Sequence, residues 1–307
     1  SFFGVYDGHG GSTCPDFLKD NLHNYVINNE FFPSKPAKAL EVGFEKAELD
    51  FCAKAMSNPS KIDISGSCAV VALIVGDTIY LANLGDSRVI SSHSSGSKTR
   101  ALTKDMKPSV DSEQLRITRA GGRLYQTISQ LTENQSKIQS TVYGPMRVLP
   151  GRLSVCRSFG DIESKEPSLG GKPGVIIAVP EITSLKITED LDFLIMASDG
   201  VFDKLENDEV NDFCWRGLKK AAKREDTSLE EVLYFGAEEV MARSLAKKTQ
   251  DNISVLIVCF KTLRRLQAIF IMQQSQKLLH ERLSNVLKKS MPTHKPHHEE
   301  FYSQRLS

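Results

Sequence analysis

Cysteine is scarce in this chain of 307 residues, and what there is lies scattered. Cys14, Cys52, Cys68, Cys156, Cys214 and Cys259 form no Cys-x-x-Cys pair. That spacing argues against a zinc cage or a disulfide framework and for a reducing compartment, cytoplasmic or nuclear. Also missing is any run of roughly 18 apolar residues, the length a membrane span needs. No secretory signal opens the chain. Nor is there an excess of charge of one sign: 39 Lys and Arg against 38 Asp and Glu leave a net +1, which gives no global case for a nucleic-acid or membrane partner. The balance is local instead. Residues 261–307 hold nine basic against three acidic residues, which leaves 30 against 35 in the remainder.

What the chain does have is apolar material, 40% of its residues, enough for a sizeable core. The stretch "FFGVY" at 2–6 reads as a strand inside which the chain begins, so residues are expected before Ser1. Helical spacing follows over Pro15–Val26 (Phe17, Leu18, Leu22, Val26) and over Pro36–Met56 (Leu40, Phe44, Ala47, Leu49, Phe51). The period then changes to two. "GSCAVVALIVGDTIYLANLGDSRVISS" at 66–92 reads as two β-branched strands around a Gly76-Asp77 turn, with a third begun after Gly85-Asp86. A helix over 111–120 should end at Gly121-Gly122. The polar stretch 125–145 reads as a surface insertion, "RLSVCRSF" at 152–159 as a strand, and 161–174 as a loop. "FLIMASDG" at 193–200 and "ISVLIVCF" at 253–260 read as buried strands, with helices near 206–222 and 228–247 between them. The class is mixed α and β, with strands joined by tight turns and therefore mostly antiparallel.

Three apolar strands share an acidic end. "FFGVY" stops at Asp7-Gly8, "FLIMAS" stops at Asp199-Gly200, and "ISVLIVCF" is entered from Asp251-Asn252; Asp86 sits in a Gly-Asp-Ser step between two further strands. Each pair alone has an ordinary explanation, since Asp-Gly after a strand is the commonest hairpin signal. Together they allow a second one. Carboxylates at the rim of a sheet core are costly unless something positive meets them. An all-oxygen cluster suits a hard divalent cation, Mg²⁺ or Mn²⁺. His9 is either a solvent-facing turn residue or, beside such a cluster, a general acid. Gly8-x-Gly10-x-x-Thr13 lacks the third glycine of a dinucleotide fingerprint, no P-loop lysine follows, and no Gly-x-Ser-x-Gly elbow occurs.

The order of motifs goes further than any one of them. "FFGVYDGHGG", "GSCAVVALI", "LANLGDSRVI", "LTKDMKPSVDSEQLRITRAGG", "RLSVCRSFGD", "VPEI", "FLIMASDGVFD" and "TQDNISVLIV" run in sequence along almost all of residues 1–261. This series resembles the metal-dependent Ser/Thr protein phosphatases of type 2C. The resemblance implies an α+β fold, a β-sandwich of two antiparallel sheets flanked by helices in α-β-β-α layers. It implies that Asp7 bridges two metal ions, Mg²⁺ or Mn²⁺, with the Gly8 carbonyl helping one. Asp199 and Asp251 would hold the other, and Asp86 with Asp199 would match a weaker third position. His9 would protonate the departing serine or threonine oxygen of a phosphorylated protein substrate, with a metal-activated water as nucleophile. Gly121-Gly122, Arg157 and Asp203 match further family positions, read here as structural.

Departures from the family pattern qualify that reading. No counterpart is present for an earlier family strand whose Arg grips phosphate and whose acids support a metal, so 1–261 reads as an N-terminally truncated catalytic domain. A catalytically impaired family member acting as a binding scaffold is the alternative. Cys68 stands where Thr is usual, Met106 where His is usual, and Cys156 where Ser is common; the two cysteines are expected to be small, buried and inert. Residues 262–307 lie outside the resemblance. Leu266, Ile269, Phe270, Leu279, Leu283, Val286 and Leu287 give 262–290 the pattern of a basic amphipathic helix, and the end beyond Pro292 that of a disordered tail. The helix would pack on the catalytic domain or contact a partner or membrane surface.

Overall fold

The computed structural model describes residues 1–132, 139–224, 227–261 and 266. Strand β1 (Phe2–His9) leads into helices α1 (Thr13–Ile27) and α2 (Pro36–Met56). Four strands follow: β2 (Gly66–Val75), β3 (Thr78–Leu84), β4 (Arg88–His93) and β5 (Lys98–Ala101). Helix α3 (Asp111–Arg119) precedes β6 (Arg123–Thr132), β7 (Gln139–Leu149), the two-residue β8 (Phe159–Gly160) and the short α4 (Ile162–Lys165). The chain continues through β9 (Glu181–Lys186), β10 (Leu191–Ala197), the four-residue α5 (Asp199–Phe202), α6 (Asn207–Ala221), α7 (Leu229–Ala246) and β11 (Val255–Cys259).

One sheet has the order β1-β2-β3-β9, with β8 also on β2; the other has the order β11-β10-β4-β5. Every ladder is antiparallel, as the tight turns implied. The sheets face each other through Val5, Val70, Ala72, Ile79 and Leu81 on one side and Val89, Leu194, Met196 and Val258 on the other. Because side chains alternate along a strand, the opposite faces of the same residues' neighbours are free to meet helices. Ala69, Val71, Leu73, Ala82 and Leu84 pack under Leu18, Leu22, Phe44 and Phe51 of α1 and α2. On the outer side of the second sheet, Phe193 meets Trp215 of α6 with ring centroids 5.3 Å apart. The α-β-β-α sandwich is the one that the motif series implied.

The helices expected at Pro36–Met56 and 111–120 form as read, the latter with Gly121 at φ +81° just beyond its end. Three readings are corrected. Leu49 is not on the buried face of α2 but 60% exposed, since the core stripe there runs through Phe44, Ala47, Phe51 and Ala55. Residues 152–158 are not a strand, and only Phe159 of the stretch enters one, the two-residue β8. They make isolated bridges, Leu153 to Val148 and Arg157 to Ile177, because side chains rather than a ladder hold them: Arg157 and the Cys156 thiol both reach Glu113. The surface insertion read at 125–145 is borne out: its described residues form the antiparallel pair of β6 and β7, in which Ile128 faces Tyr143 and both are mostly exposed. Finally, β11 is only half-buried, as befits the edge of its sheet. The helix expected over 262–290 and the tail after it fall outside the described residues, Leu266 apart.

Candidate metal centre

The four acids singled out in the sequence come to one rim of the sandwich. Asp7 lies near the end of β1, opposite Cys68 of β2. Asp86 stands in the Gly85-Asp86-Ser87 step where the chain leaves β3 in one sheet for β4 in the other. Asp199 follows β10 as the first residue of α5, and Asp251 precedes β11, the neighbour of β10. Ser198 ties these last two approaches together. Its backbone N–H donates to the Ser254 carbonyl (3.1 Å), its hydroxyl donates to the Asn252 carbonyl (3.0 Å) and accepts from the Ser254 N–H (3.0 Å). Glycine at 200 is required by this approach, because a methyl group there would collide with the Asn252 carbonyl. Gly8 lies between Asp7 and His9, opposite Ser67 and against the Pro15 ring.

Crowding of like charge shows in the protonation of these groups. Burial first, then the Asp86, Asp7 and Asp251 carboxylates, push Asp199 up to about 8. Burial, Asp86 and Asp251 push Asp7 up to about 6, against a hydrogen bond from Asp199 and the pull of His9. Burial also raises Asp86, partly offset by Lys107. One oxygen of Asp199, Oδ1, is buried without a hydrogen-bond partner. Among the described residues no three His, Cys, Asp or Glu side chains stand as a ready metal-holding group. The site is thus a convergence of charge rather than a closed ligand shell. An orphaned buried carboxylate oxygen and acids held far from their usual ionisation are what a missing cation would leave, and an all-carboxylate donor set fits a hard divalent one.

His9 is held on its other side. Its Nε2 lies 2.8 Å from both Oδ1 and Oδ2 of Asp161. Burial alone would lower the imidazole, yet Asp161, with Asp7 and Asp86 behind it, outweighs burial and leaves it raised above its ordinary value.

Comparison with known proteins decides what this rim belongs to. The family model for protein phosphatase 2C matches residues 1–253. The chain belongs to the protein phosphatase 2C family. A probable protein phosphatase 2C of Caenorhabditis elegans is 34% identical over 268 residues, 84% of this chain and 65% of the relative. Probable protein phosphatase 2C 57 of Oryza sativa is 29% identical over 262 residues, 85% of this chain and 62% of the relative. The chain therefore spans about three fifths of the length of such curated relatives. Among solved structures, the serine-threonine phosphatase 2C of Toxoplasma gondii superposes with a TM-score of 0.65 at 20% identity, covering 85% of this chain and 84% of that one. A C. elegans sex-determining protein superposes at 0.68 with 21% identity, over 88% and 59%. Likeness at that identity speaks for the fold.

Some site residues escaped the sequence reading. The phosphatase 2C motif "RSFGD" was visible, but not that its Asp161 meets His9 from 152 residues away. Lys107 was unremarked as well. It donates to Asp203 Oδ1 (2.5 Å), lies 3.8 Å from Asp105, and is a cation beside Asp86. Arg88 in turn grips Asp105 with two bonds of 2.8 Å and donates to Asn207 Oδ1 (2.8 Å). So Asp203, read as structural, borders the acid cluster and adds to the rise of Asp199. Arg157 is structural as read, paired with Glu113 and donating to the Val179 carbonyl (2.9 Å). Met106 is buried beside Cys156, whose thiol reaches its carbonyl, and its N–H donates to the Gly85 carbonyl (2.9 Å). Burial pushes the Cys68 and Cys156 thiols up and out of thiolate chemistry.

Proposed function

We propose that this chain carries the catalytic site of a protein serine/threonine phosphatase, a metal-dependent phosphoric monoester hydrolase acting on phosphorylated proteins. The observation that carries the reading is the convergence of Asp7, Asp86, Asp199 and Asp251 on one rim, with an imidazole alongside. Metal dependence is a property of the protein phosphatase 2C family; the proposal for this chain is Mg²⁺ or Mn²⁺ at two positions and a weaker third. Asp7 with the Gly8 carbonyl would hold one ion, Asp7, Asp199 and Asp251 the other, and Asp86 with Asp199 the third. When bound, such ions neutralise charge on the phosphoryl oxygens and make water a better nucleophile at neutral pH.

The remaining work falls to the chain itself. The carboxylates, fixed by two sheets, hold their positions without reorganising as charge develops on the phosphoryl group. His9 gives a proton to the serine or threonine oxygen as its bond to phosphorus breaks. Lys107, anchored to Asp203, keeps a positive charge beside the acids. Unpaired cysteines throughout support a reducing, cytoplasmic or nuclear place of action. No helix among the described residues is long and apolar enough to cross a membrane.

Phosphate release from a phosphothreonine peptide tests the reading, with Mn²⁺ present and again with a chelator. Release that needs the metal supports it. No release by protein that binds Mn²⁺ in a calorimetric titration would favour the scaffold instead.

A further inference from the structure

The register of the first sheet creates a contact whose role the acid cluster does not explain. Gly66 of β2 has two neighbours, His9 of β1 on one side and Gly160 of β8 on the other. Asp161 follows Gly160 directly, so its carboxyl reaches across Gly66 to the imidazole. The crossing is possible because residue 66 has no side chain: a methyl group there would collide with all three atoms of that carboxyl group. Asp161 is 5% exposed and takes a left-handed backbone, φ +51°, a conformation that Asp and Asn tolerate better than most residues. Its N–H donates to the Ser65 carbonyl (3.1 Å), and the Ser158 hydroxyl donates to Oδ2. A buried carboxylate built in this way is placed for a purpose, since burying a charge is costly without a dedicated partner.

We propose that Asp161 is the positioning residue for His9: it accepts a hydrogen bond from Nε2–H, fixes that tautomer and turns Nδ1 toward the departing oxygen of the substrate. The inference rests on the phosphatase reading given above. Among the described residues Nδ1 carries no hydrogen bond, so it is the nitrogen left for proton transfer. In the step itself a water oxygen forms a new bond to phosphorus while the serine or threonine P–O bond breaks. The electron pair of that bond stays on the departing oxygen, which takes the proton from Nδ1, and the proton shed by the water returns to His9 through solvent. An imidazole held by a carboxylate through one nitrogen and working through the other needs no rearrangement between turnovers.

Leaving-group dependence separates this role from a merely structural one. Asp161→Asn keeps the size and the left-handed backbone, but an amide offers N–H as readily as C=O and no longer fixes the tautomer. General-acid catalysis is worth roughly 10²–10⁴-fold, so kcat on a phosphothreonine peptide should fall by about 10-fold or more, with KM little changed. On p-nitrophenyl phosphate, whose phenolate leaves without a proton, the fall should be less than about threefold. Mn²⁺ affinity by calorimetry should be unchanged, and adding Asp161→Asn to His9→Gln should cost nothing more, because the two act as one unit. Equal losses on both substrates, no loss on either, or additive losses in the double variant would overturn the proposal. Should the wild-type chain release no phosphate from either substrate, the phosphatase reading fails on its own. The positioning is then judged by ¹⁵N NMR of the neutral imidazole: Nε2–H in the wild type and a mixture in Asp161→Asn supports it, and Nδ1–H in the wild type refutes it.

Discussion

At the scale of single residues the molecule trades stability for readiness. A carboxylate whose folded pKa is raised binds more protons in the folded than in the unfolded state, so stability falls as pH rises between the two values. Asp199, raised to about 8, and Asp7, raised to about 6, therefore weaken the metal-free fold progressively from about pH 4 upward, until Asp7 is lost near 6 and Asp199 near 8. Asp199→Asn removes one of these charges. Its metal-free melting temperature at pH 7.5 should exceed that of the wild type, while the rise in melting temperature that Mn²⁺ gives the wild type should vanish. Differential scanning calorimetry with and without Mn²⁺ reads both, and an unchanged Mn²⁺ response would remove Asp199 from the ligand set. The acids themselves were legible in the sequence, because a strand ending in Asp-Gly can be recognised without knowing its neighbours. Asp161 and Lys107 were not, because each acts through a partner that only tertiary packing supplies.

Elements carry a second kind of dependence. Glu113 of α3 is 4% exposed and lies between Arg116 and Arg157, whose guanidinium groups outweigh the cost of burial and hold its carboxyl at about 2. A depressed folded pKa gives stability that is whole above the ordinary carboxylate value and is lost as pH falls toward 2. The shift corresponds to about 3 kcal/mol, so Glu113→Gln should cost roughly that much at pH 7 and flatten the acid limb of the unfolding curve between about pH 5 and 2. Urea denaturation at several pH values checks it. Gly200 gives a sharper case. Gly200→Ala forces α5 away from the Asn252 carbonyl, and overpacking of that kind costs roughly 1–3 kcal/mol. Because the same displacement separates Asp199 from Asp251, Mn²⁺ affinity should drop by about 10-fold or more in a calorimetric titration. Most elements could be read from period and punctuation. The stretch 152–159 could not: its apolar residues alternate like a strand, but Cys156 and Arg157 are spent on Glu113, which no local pattern reveals.

For the whole molecule the sandwich is the condition of the site. Asp7 comes from one sheet, Asp199 and Asp251 from the segments that leave β10 and enter β11 of the other, and Asp86 from the crossing between them. Cation binding should then be linked to packing of the sheets rather than to any local loop. Leu194→Ala, which empties the fully buried space between them, should cost about 2–5 kcal/mol, with Mn²⁺ giving one cooperative transition at a higher temperature rather than two. The fold class was legible from tight turns between apolar strands, whereas which strand lies beside which was not, since β8, two residues long, gives no periodic signal. Yet that shortest strand has a consequence for descent. Gly66 is bare because the Asp161 carboxylate lies over it, so position 66 cannot take a side chain while the acid stays. A lineage that fills position 66 must first have given up the acid at 161, and one that loses the acid frees the glycine to drift. The two sites, 95 residues apart along the chain, should be inherited as a pair.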